Sequence, residues 1–287
     1  MAAELLKGKP IADKIKLEVS AEVEVLKAKG VTPFLVAVQV GENAASAVYT
    51  GAQKKVAESV GIRYELRELP AETTQEELIK YIEGLNNDDE VKGIILQMPL
   101  PPHFNTQAVQ WSIAYSKDVE GMTPHNVGLV TYFAPRLAPC TPAGAVELIK
   151  STGIDLYGKE VVVVGHSDIV GKPTAMLLLK EFCTVTICHI ATGQRGMTAE
   201  HVKNAEIVVV AVGFPGIVKG EWIKEGAIVI DIGINKVGDK IVGDVEFDAA
   251  AERAAYITPV PGGAGVATTA MLMKNLVEAT KWQLEMK

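Results

Sequence analysis

The residues that most suggest chemistry follow a run of four valines. Val161–Val164 leads into Gly165-His166-Ser167-Asp168-Ile169-Val170-Gly171-Lys172-Pro173 and then Thr-Ala-Met-Leu-Leu-Leu-Lys. A buried strand, a tight turn opened by a small residue, and a helix with free N-terminal N–H groups together make a seat for a pyrophosphate. The spacing departs from G-x-G-x-x-G, because Ser167 replaces the second glycine and the last is delayed to Gly171. Such a turn alone can simply pack a helix on a sheet. The valine strand and the strands after it favour dinucleotide binding. The candidate contacts are Gly165, His166, Ser167, Val170, Gly171 and Pro173, and further along Ile190 and Ile232. Dinucleotide folds often place an acid after the second strand to hold a ribose, or an arginine to hold a 2′-phosphate. Here that strand ends Thr186-Ile187-Cys188-His189-Ile190-Ala191, with neither. His166, His189 and Arg195 read equally well as solvated loop residues. The cofactor is therefore NAD or NADP, with a lean to NAD.

Other chemistries find less support. His103 and His125 have no partners at metal-ligand spacing, so no metal is expected. No Ser/His/Asp arrangement stands out. Cys140, Cys183 and Cys188 form neither a CxxC pair nor an even framework, which suits a reducing compartment. The net charge of -7 and the absence of a long basic cluster speak against a nucleic-acid partner. The N-terminus has no signal-peptide core, and no apolar run reaches the roughly 18 residues of a membrane span. A cytoplasmic protein with a small-molecule substrate is the expectation.

The elements that would position these residues alternate in type. At 287 residues and 48% apolar, the chain is long enough for two domains with substantial cores. Ile11, Ile15, Val19, Val23 and Leu26 recur at helical spacing, and Gly30 follows as a stop. Phe34–Val40 reads as a strand, 44–59 as a helix closed by Gly61, and Ile62–Leu69 as a strand. Thr74 and Glu77 form a capping box, and Gly93–Gln97 is a strand ended by Pro99, Pro101 and Pro102. This order implies right-handed βαβ units and a parallel sheet. The stretch from His103 to Thr141 is less periodic and reads as a link that also supplies loops. Pro142 then opens a helix that stops at Gly153. Strands are expected from Glu160 through the valines, then at Thr184–Cys188, Ile207–Val212, Ala227–Asp231 and Ala255–Thr258. A last helix is expected over Val266–Leu284.

Several stretches, in the same order along nearly the whole chain, carry a resemblance. They are Gly41-Glu42-Asn43-Ala44-Ala45-Ser46 running to Tyr49, Gly93-Ile94-Ile95-Leu96-Gln97-Met98-Pro99-Leu100-Pro101, and Lys117-Asp118-Val119-Glu120-Gly121. Pro139-Cys140-Thr141-Pro142, the 226–235 segment with Asp231-Ile232-Gly233, and Thr258-Pro259-Val260-Pro261-Gly262-Gly263 complete them. The chain resembles the bifunctional methylenetetrahydrofolate dehydrogenase/methenyltetrahydrofolate cyclohydrolase (FolD) family of one-carbon metabolism. The resemblance implies an α/β protein of two domains with a cleft between them. Residues 1–140, with 266–287 returning, would form a folate domain with a parallel sheet. Residues 141–265 would form a Rossmann-like NAD(P)-binding domain, and the protein would be a homodimer. It further implies that Tyr49 packs on the pterin, that Gln97 lies beside the reacting carbon, and that Glu120 holds the polar edge of the pterin. Pro99, Gly262, Gly263 and Thr268 would border the tetrahydrofolate site.

Three positions depart from the family pattern. The family's Tyr-x-x-x-Lys, whose lysine is the main catalytic residue of the hydrolytic step, ends here in Gln53. The usual aspartate is Glu120, and Pro-Gly-Gly-Val-Gly-Pro-Met-Thr becomes Pro-Gly-Gly-Ala-Gly-Val-Ala-Thr, ending at Thr268. Hydride loss from the folate methylene carbon chiefly needs orientation against the nicotinamide. Hydrolysis of the methenyl cation needs a base near neutral pKa, which lysine can be tuned to supply and a glutamine amide cannot. Lys54 and Lys55 are adjacent, but each helical residue turns by about 100°, so Lys54 points away. The expectation is a dehydrogenase with weak or absent cyclohydrolase activity. A fully bifunctional enzyme, a non-catalytic folate-binding paralogue and a dehydrogenase for an altered pterin or a non-folate substrate stay open.

Overall fold

A computed structural model describes residues 2–41 and 44–286, for residues 44–48 the backbone alone. Glu42 and Asn43 of the first resemblance stretch lie outside the described residues. In chain order, β1 (Glu4–Leu5) precedes helix α1 (Gly8–Ala28), whose apolar positions Ile15, Val19, Val23 and Leu26 are buried. Then follow β2 (Phe34–Val40), α2 (Ala44–Ser59), β3 (Arg63–Leu69), α3 (Gln75–Asn87) and β4 (Gly93–Leu96). The capping box at Thr74 is formed in both directions: the Glu77 N–H donates to Thr74 Oγ1 and the Thr74 N–H to Glu77 Oε2. This satisfies two groups at the α3 N-terminus. Two short helices, α4 (Thr106–Trp111) and α5 (Pro124–Thr131), precede α6 (Cys140–Lys150).

The second half alternates similarly: β5 (Glu160–Val164), α7 (Gly171–Lys180), β6 (Thr184–Cys188), α8 (Ile190–Gln194), α9 (Thr198–Asn204), β7 (Ile207–Val210) and β8 (Ile228–Asp231). A hairpin of β9 (Asn235–Val237) and β10 (Lys240–Val242) follows, then α10 (Phe247–Ala251), β11 (Tyr256–Ile257) and α11 (Ala264–Glu285).

The chain divides into two compact units, one of residues 14–140 with 269–287 and one of 1–13 with 141–268. In the first, β3-β2-β4 form a parallel sheet whose central strand is buried along its whole length. A strand covered on both faces should be apolar throughout, as Phe34–Val40 nearly is. The stretch expected as a link belongs to this unit as far as Cys140. Its order comes from Asp118, whose buried carboxylate accepts from the Thr123 N–H (2.7 Å) and from Asn126 Nδ2 (2.9 Å). The C-terminal part of α11 is tied to the same segment, because Asn275 Nδ2 donates to the carbonyls of Val119 and Ala138, both at 2.8 Å.

In the second unit, six parallel strands run in the order β1-β11-β8-β7-β5-β6. β5, β7 and β8 are buried apart from Glu160. The first residues were expected with the folate domain; instead β1 pairs in register with β11, Glu4 with Tyr256 and Leu5 with Ile257. The N-terminus also joins the Pro-Gly-Gly turn, as the Gly8 N–H donates to the Gly262 carbonyl at 2.8 Å. A side chain at Gly8 would lie 2.1 Å from the Gly263 carbonyl oxygen, so that position has room only for glycine. Neither β1 nor the β9–β10 hairpin is anticipated by the sequence, since runs of two or three residues carry too little periodicity. Among the described residues no helix is long and apolar enough to cross a membrane.

Candidate functional site

In the unit of residues 14–140, the expected folate-side residues converge on the end of β4. Tyr49 and Gln53 are one turn apart on α2, at the i and i+4 spacing that places two residues on one helix face. Tyr49 is 58% exposed and Gln97, just past β4, is buried. Gln97 Nε2 donates to Gln53 Oε1 at 3.1 Å. A residue unremarked in the sequence completes this arrangement: the Tyr64 hydroxyl donates to the same oxygen at 3.2 Å. Tyr64 faces α2 from β3, and burial pushes its hydroxyl up to about 12, so it remains a donor. The only signal for it in the sequence was strand alternation, which assigns a face but not a partner.

Glu120 follows Asp118 in the parallel stretch beside β4, where Ile94 bridges to Asp118. Burial first, then the like charge of Asp118, raises its carboxyl to about 8, opposed by a backbone hydrogen bond at Leu96. Glu120 therefore adjoins the same strand end as Gln97. Gly121 fixes the bend (φ 71°); a side chain there would meet the Leu137 carbonyl oxygen at 2.7 Å. Pro99 is exposed two residues beyond Gln97. Lys54 points to solvent beside Glu58 at 3.9 Å, and Lys55 is likewise exposed. The neighbouring thiol of Cys140 is buried and donates to the Val119 carbonyl at 3.3 Å; burial pushes it well above its ordinary range, which favours the thiol over the thiolate.

In the other unit, a cavity of about 840 Å³ opens at the carboxyl ends of β5, β6 and β7. Ligands of open α/β sheets bind at that edge. Gly165, His166, Ser167 and Ile190 line it, together with His189, Val212 and Phe214. The glycine turn requires its glycines. Gly165 has φ 122°, and a side chain there would lie 2.2 Å from the Ala211 carbonyl oxygen; one at Gly171 would lie 2.2 Å from the Gly165 carbonyl oxygen. Ser167 Oγ accepts from the N–H groups of Val170 (3.1 Å) and Gly171 (3.3 Å). Those two donors, expected to face a phosphate, are thus turned to the serine. Val170, Gly171, Pro173 and Ile232 are not among the cavity-lining residues, and Gly171 and Pro173 are buried. His189 is an exposed loop residue that also caps α8: its Nδ1 accepts from the Ala191 N–H at 3.2 Å, and its ring lies 5.3 Å from that of His166.

Two carboxylates that the sequence did not single out for a role support the cavity rim. Asp244, fully buried, accepts from the N–H groups of Val212 (2.6 Å), Gly213 (2.9 Å) and Phe214 (3.0 Å) and from Asn235 Nδ2 (2.8 Å). Asp231, at the end of β8, accepts from the N–H groups of Gly233, Asp244 and Val245 at 2.9 to 3.0 Å. Burial raises it to about 6 despite those bonds. Of the remaining expected residues, Gly262 (φ 108°) and Gly263 form the turn on Gly8, and Thr268 Oγ1 donates to the Ala264 carbonyl. Among the described residues no cluster of three metal-ligating side chains occurs.

A glycine turn, a parallel sheet and a cavity at its carboxyl edge define a dinucleotide-binding α/β protein of two domains. The tetrahydrofolate dehydrogenase/cyclohydrolase catalytic domain matches residues 6–120, and the NAD(P)-binding domain of the same description matches residues 139–284. The chain therefore belongs to the tetrahydrofolate dehydrogenase/cyclohydrolase family. It is similar to the bifunctional protein FolD of Geotalea daltonii, 50% identical over 280 residues, covering 97% of this chain and 99% of that one. Among solved structures it resembles the bifunctional FolD enzyme of Campylobacter jejuni (TM-score 0.94, 41% identity, 98% of this chain and 100% of that one). It also resembles the Trypanosoma brucei enzyme complexed with NADP cofactor and inhibitor (TM-score 0.93, 40% identity, 99% of each chain).

Proposed function

We propose that this chain is a cytoplasmic, homodimeric 5,10-methylenetetrahydrofolate dehydrogenase that passes a hydride from the folate methylene carbon to a nicotinamide cofactor, giving 5,10-methenyltetrahydrofolate. Family membership supports the substrate class. The observation that carries the cofactor half is the bare backbone at Gly165, where a single added methyl group would strike the Ala211 carbonyl. A side chain there would push the turn off the end of β7 and into the cavity that it lines, so glycine keeps that space open for a pyrophosphate. His166 and Ser167 would flank the dinucleotide, and Ile190 would meet its adenosine ribose. When bound, the nicotinamide supplies the hydride acceptor. NAD is favoured over NADP, because no lysine or arginine is among the cavity-lining residues and Ile190, apolar and 74% exposed, stands after β6. A 2′-phosphate would bring up to two charges to that place, and no lysine or arginine among the lining residues would meet them.

On the folate side Tyr49 offers a ring to the pterin and Glu120 a carboxyl group to its polar edge. Gln53 and Gln97 hold each other beside the reacting carbon. Two neutral amides place no ammonium against a developing cation, which suits hydride loss. The same amides cannot accept the proton released when water adds to the methenyl cation. The hydrolytic step is therefore proposed to be weak, the lysine of the family pattern being Gln53 here. The names of the bifunctional relatives favour a second reading, in which both steps run in this chain. That reading needs another base, and the exposed placement of Lys54 and Lys55 supplies none at Gln53.

Purified protein given methylenetetrahydrofolate with NAD or NADP in parallel tests both halves. Nicotinamide reduction is expected, together with decay of added methenyltetrahydrofolate at the buffer rate. Folate binding without reduction of either cofactor would point instead to a non-catalytic paralogue, and enzyme-dependent decay to a bifunctional one.

A further inference from the structure

Three consecutive backbone N–H groups, of Val212, Gly213 and Phe214, converge on one carboxylate. Successive N–H groups pointing into one concavity normally form a nest for an external anion. Here the anion is internal. Asp244 is 0% exposed, whereas Val212 and Phe214 are 43% and 61% exposed, and both line the cavity at the carboxyl edge of the sheet. The carboxylate thus grips from behind a loop that presents its other side to the ligand space.

The grip is itself anchored. Asn235 Nδ2 donates to Asp244 Oδ1, and the backbone N–H groups of Asp244 and Val245 donate to Asp231 at the end of β8. The two carboxylates are packed against reciprocal glycines. A side chain at Gly233 would lie 2.1 Å from Asp244 Oδ1, and one at Gly243 would lie 1.9 Å from Asp231 Oδ2. Both glycines flank the carboxylates closely enough that nothing larger fits. Asp231 fixes the backbone of 244–245, Asp244 fixes the backbone of 212–214, and the cavity wall after β7 takes its shape from that chain of bonds.

We propose that Asp244 is a positioning residue for the nicotinamide cofactor, acting through the Val212–Phe214 loop with Asp231 and Asn235 as its supports. A second consequence follows from its charge. By filling the nest, Asp244 cancels the attraction that three free N–H groups would exert on phosphate, so the glycine turn at Gly165 is left as the seat for the pyrophosphate. The proposal rests on the reading of this cavity as the dinucleotide site.

The test is cofactor binding without folate, by titration calorimetry with NAD and with NADP, beside amide hydrogen exchange of the 212–214 loop. Asp244→Asn keeps the size and removes the charge from three hydrogen bonds. The expected result is binding of the better cofactor weakened about tenfold or more, faster exchange at 212–214, and a raised cofactor KM with the folate KM within about twofold. A folded Asp244→Asn protein that binds the cofactor as wild type does, with unchanged exchange at the loop, overturns the proposal. Should that variant not fold, Asn235→Ala takes its place, since it removes a single bond to Asp244. About threefold weaker binding with faster loop exchange is then expected, and unchanged values in both overturn the proposal. Failure of wild-type protein to bind either cofactor would instead overturn the reading of the cavity.

Discussion

The side-chain amide of Gln97 donates to the side-chain carbonyl oxygen of Gln53 at 3.1 Å, and the Tyr64 hydroxyl donates to the same oxygen at 3.2 Å. An acceptor at position 53 is therefore matched to two donors. A lysine there would present donors only, so Gln97 would have to turn its amide and Tyr64 its hydroxyl. Both groups can do so, having acceptor oxygens of their own. Gln53→Lys is thus expected to fold and to raise the rate of methenyltetrahydrofolate hydrolysis on the order of 10²- to 10⁴-fold, the usual contribution of a positioned base. The dehydrogenase rate should fall or stay level. A hydrolysis rate unchanged by this substitution would show that position 53 does not limit the step.

Glu120 gives the stability of the unliganded protein a pH dependence of defined sign. Its carboxyl is raised from 4.5 to about 8 in the folded chain, chiefly by burial. The folded state therefore holds a proton that the unfolded state has released. Stability from this group is fully present below about 4.5 and is lost as pH rises through about 8. Melting temperature should fall by several degrees between those limits. Asp231, raised to about 6, contributes a drop of the same sign at the lower end. The informative quantity is thus the difference between wild type and Glu120→Gln, which should flatten the upper part of the profile. Parallel profiles for the two proteins would remove Glu120 from the account.

The long elements were legible because their periodicity is long. β2, β5 and the capping box at Thr74 follow directly from apolar runs and from a Thr–Glu spacing of three. Contacts set by tertiary structure were less visible. Tyr64, Asp231 and Asp244 act through partners 9 to 32 positions away, or through backbone groups that carry no side-chain signature. The same holds for β1, whose two residues are a strand only because Tyr256 and Ile257 lie beside them. The glycine turn was recognised as a unit, but the sequence could not show that Ser167 occupies the N–H groups of Val170 and Gly171. Gln53 was singled out by its difference from a family pattern, and its partners became visible only in three dimensions.

Cofactor choice is expected to turn on Ile190. It lines the cavity after β6, and His189 beside it has its Nδ1 engaged by the Ala191 N–H. That bond leaves Nε2 as the donor of the ring. Wild-type protein should show a higher kcat/KM with NAD than with NADP. Ile190→Arg should shift the ratio toward NADP by about tenfold, the scale of one charge-assisted contact at a partly exposed site. Initial rates with both cofactors measure this, and a wild-type preference for NADP would reverse the assignment.

Two glycines with positive φ separate backbone strain from steric exclusion. Gly30 ends α1 at φ 78°, and a side chain there would meet nothing within 4 Å. Gly30→Ala should therefore cost only the left-handed conformation, about 1 kcal/mol. Gly165 has φ 122° and also faces the Ala211 carbonyl oxygen at 2.2 Å from the site of a side chain. That oxygen is backbone, and the Ala211 N–H is bonded to the Val164 carbonyl at 2.8 Å, so it cannot move without opening the β5–β7 pairing. Gly165→Ala should destabilise the protein by about 2–4 kcal/mol and weaken cofactor binding as the turn is forced outward. Denaturant unfolding of the two variants side by side measures the difference. Equal losses would mean that the close approach at Ala211 relaxes freely, and that the bare backbone at Gly165 is not what shapes the turn.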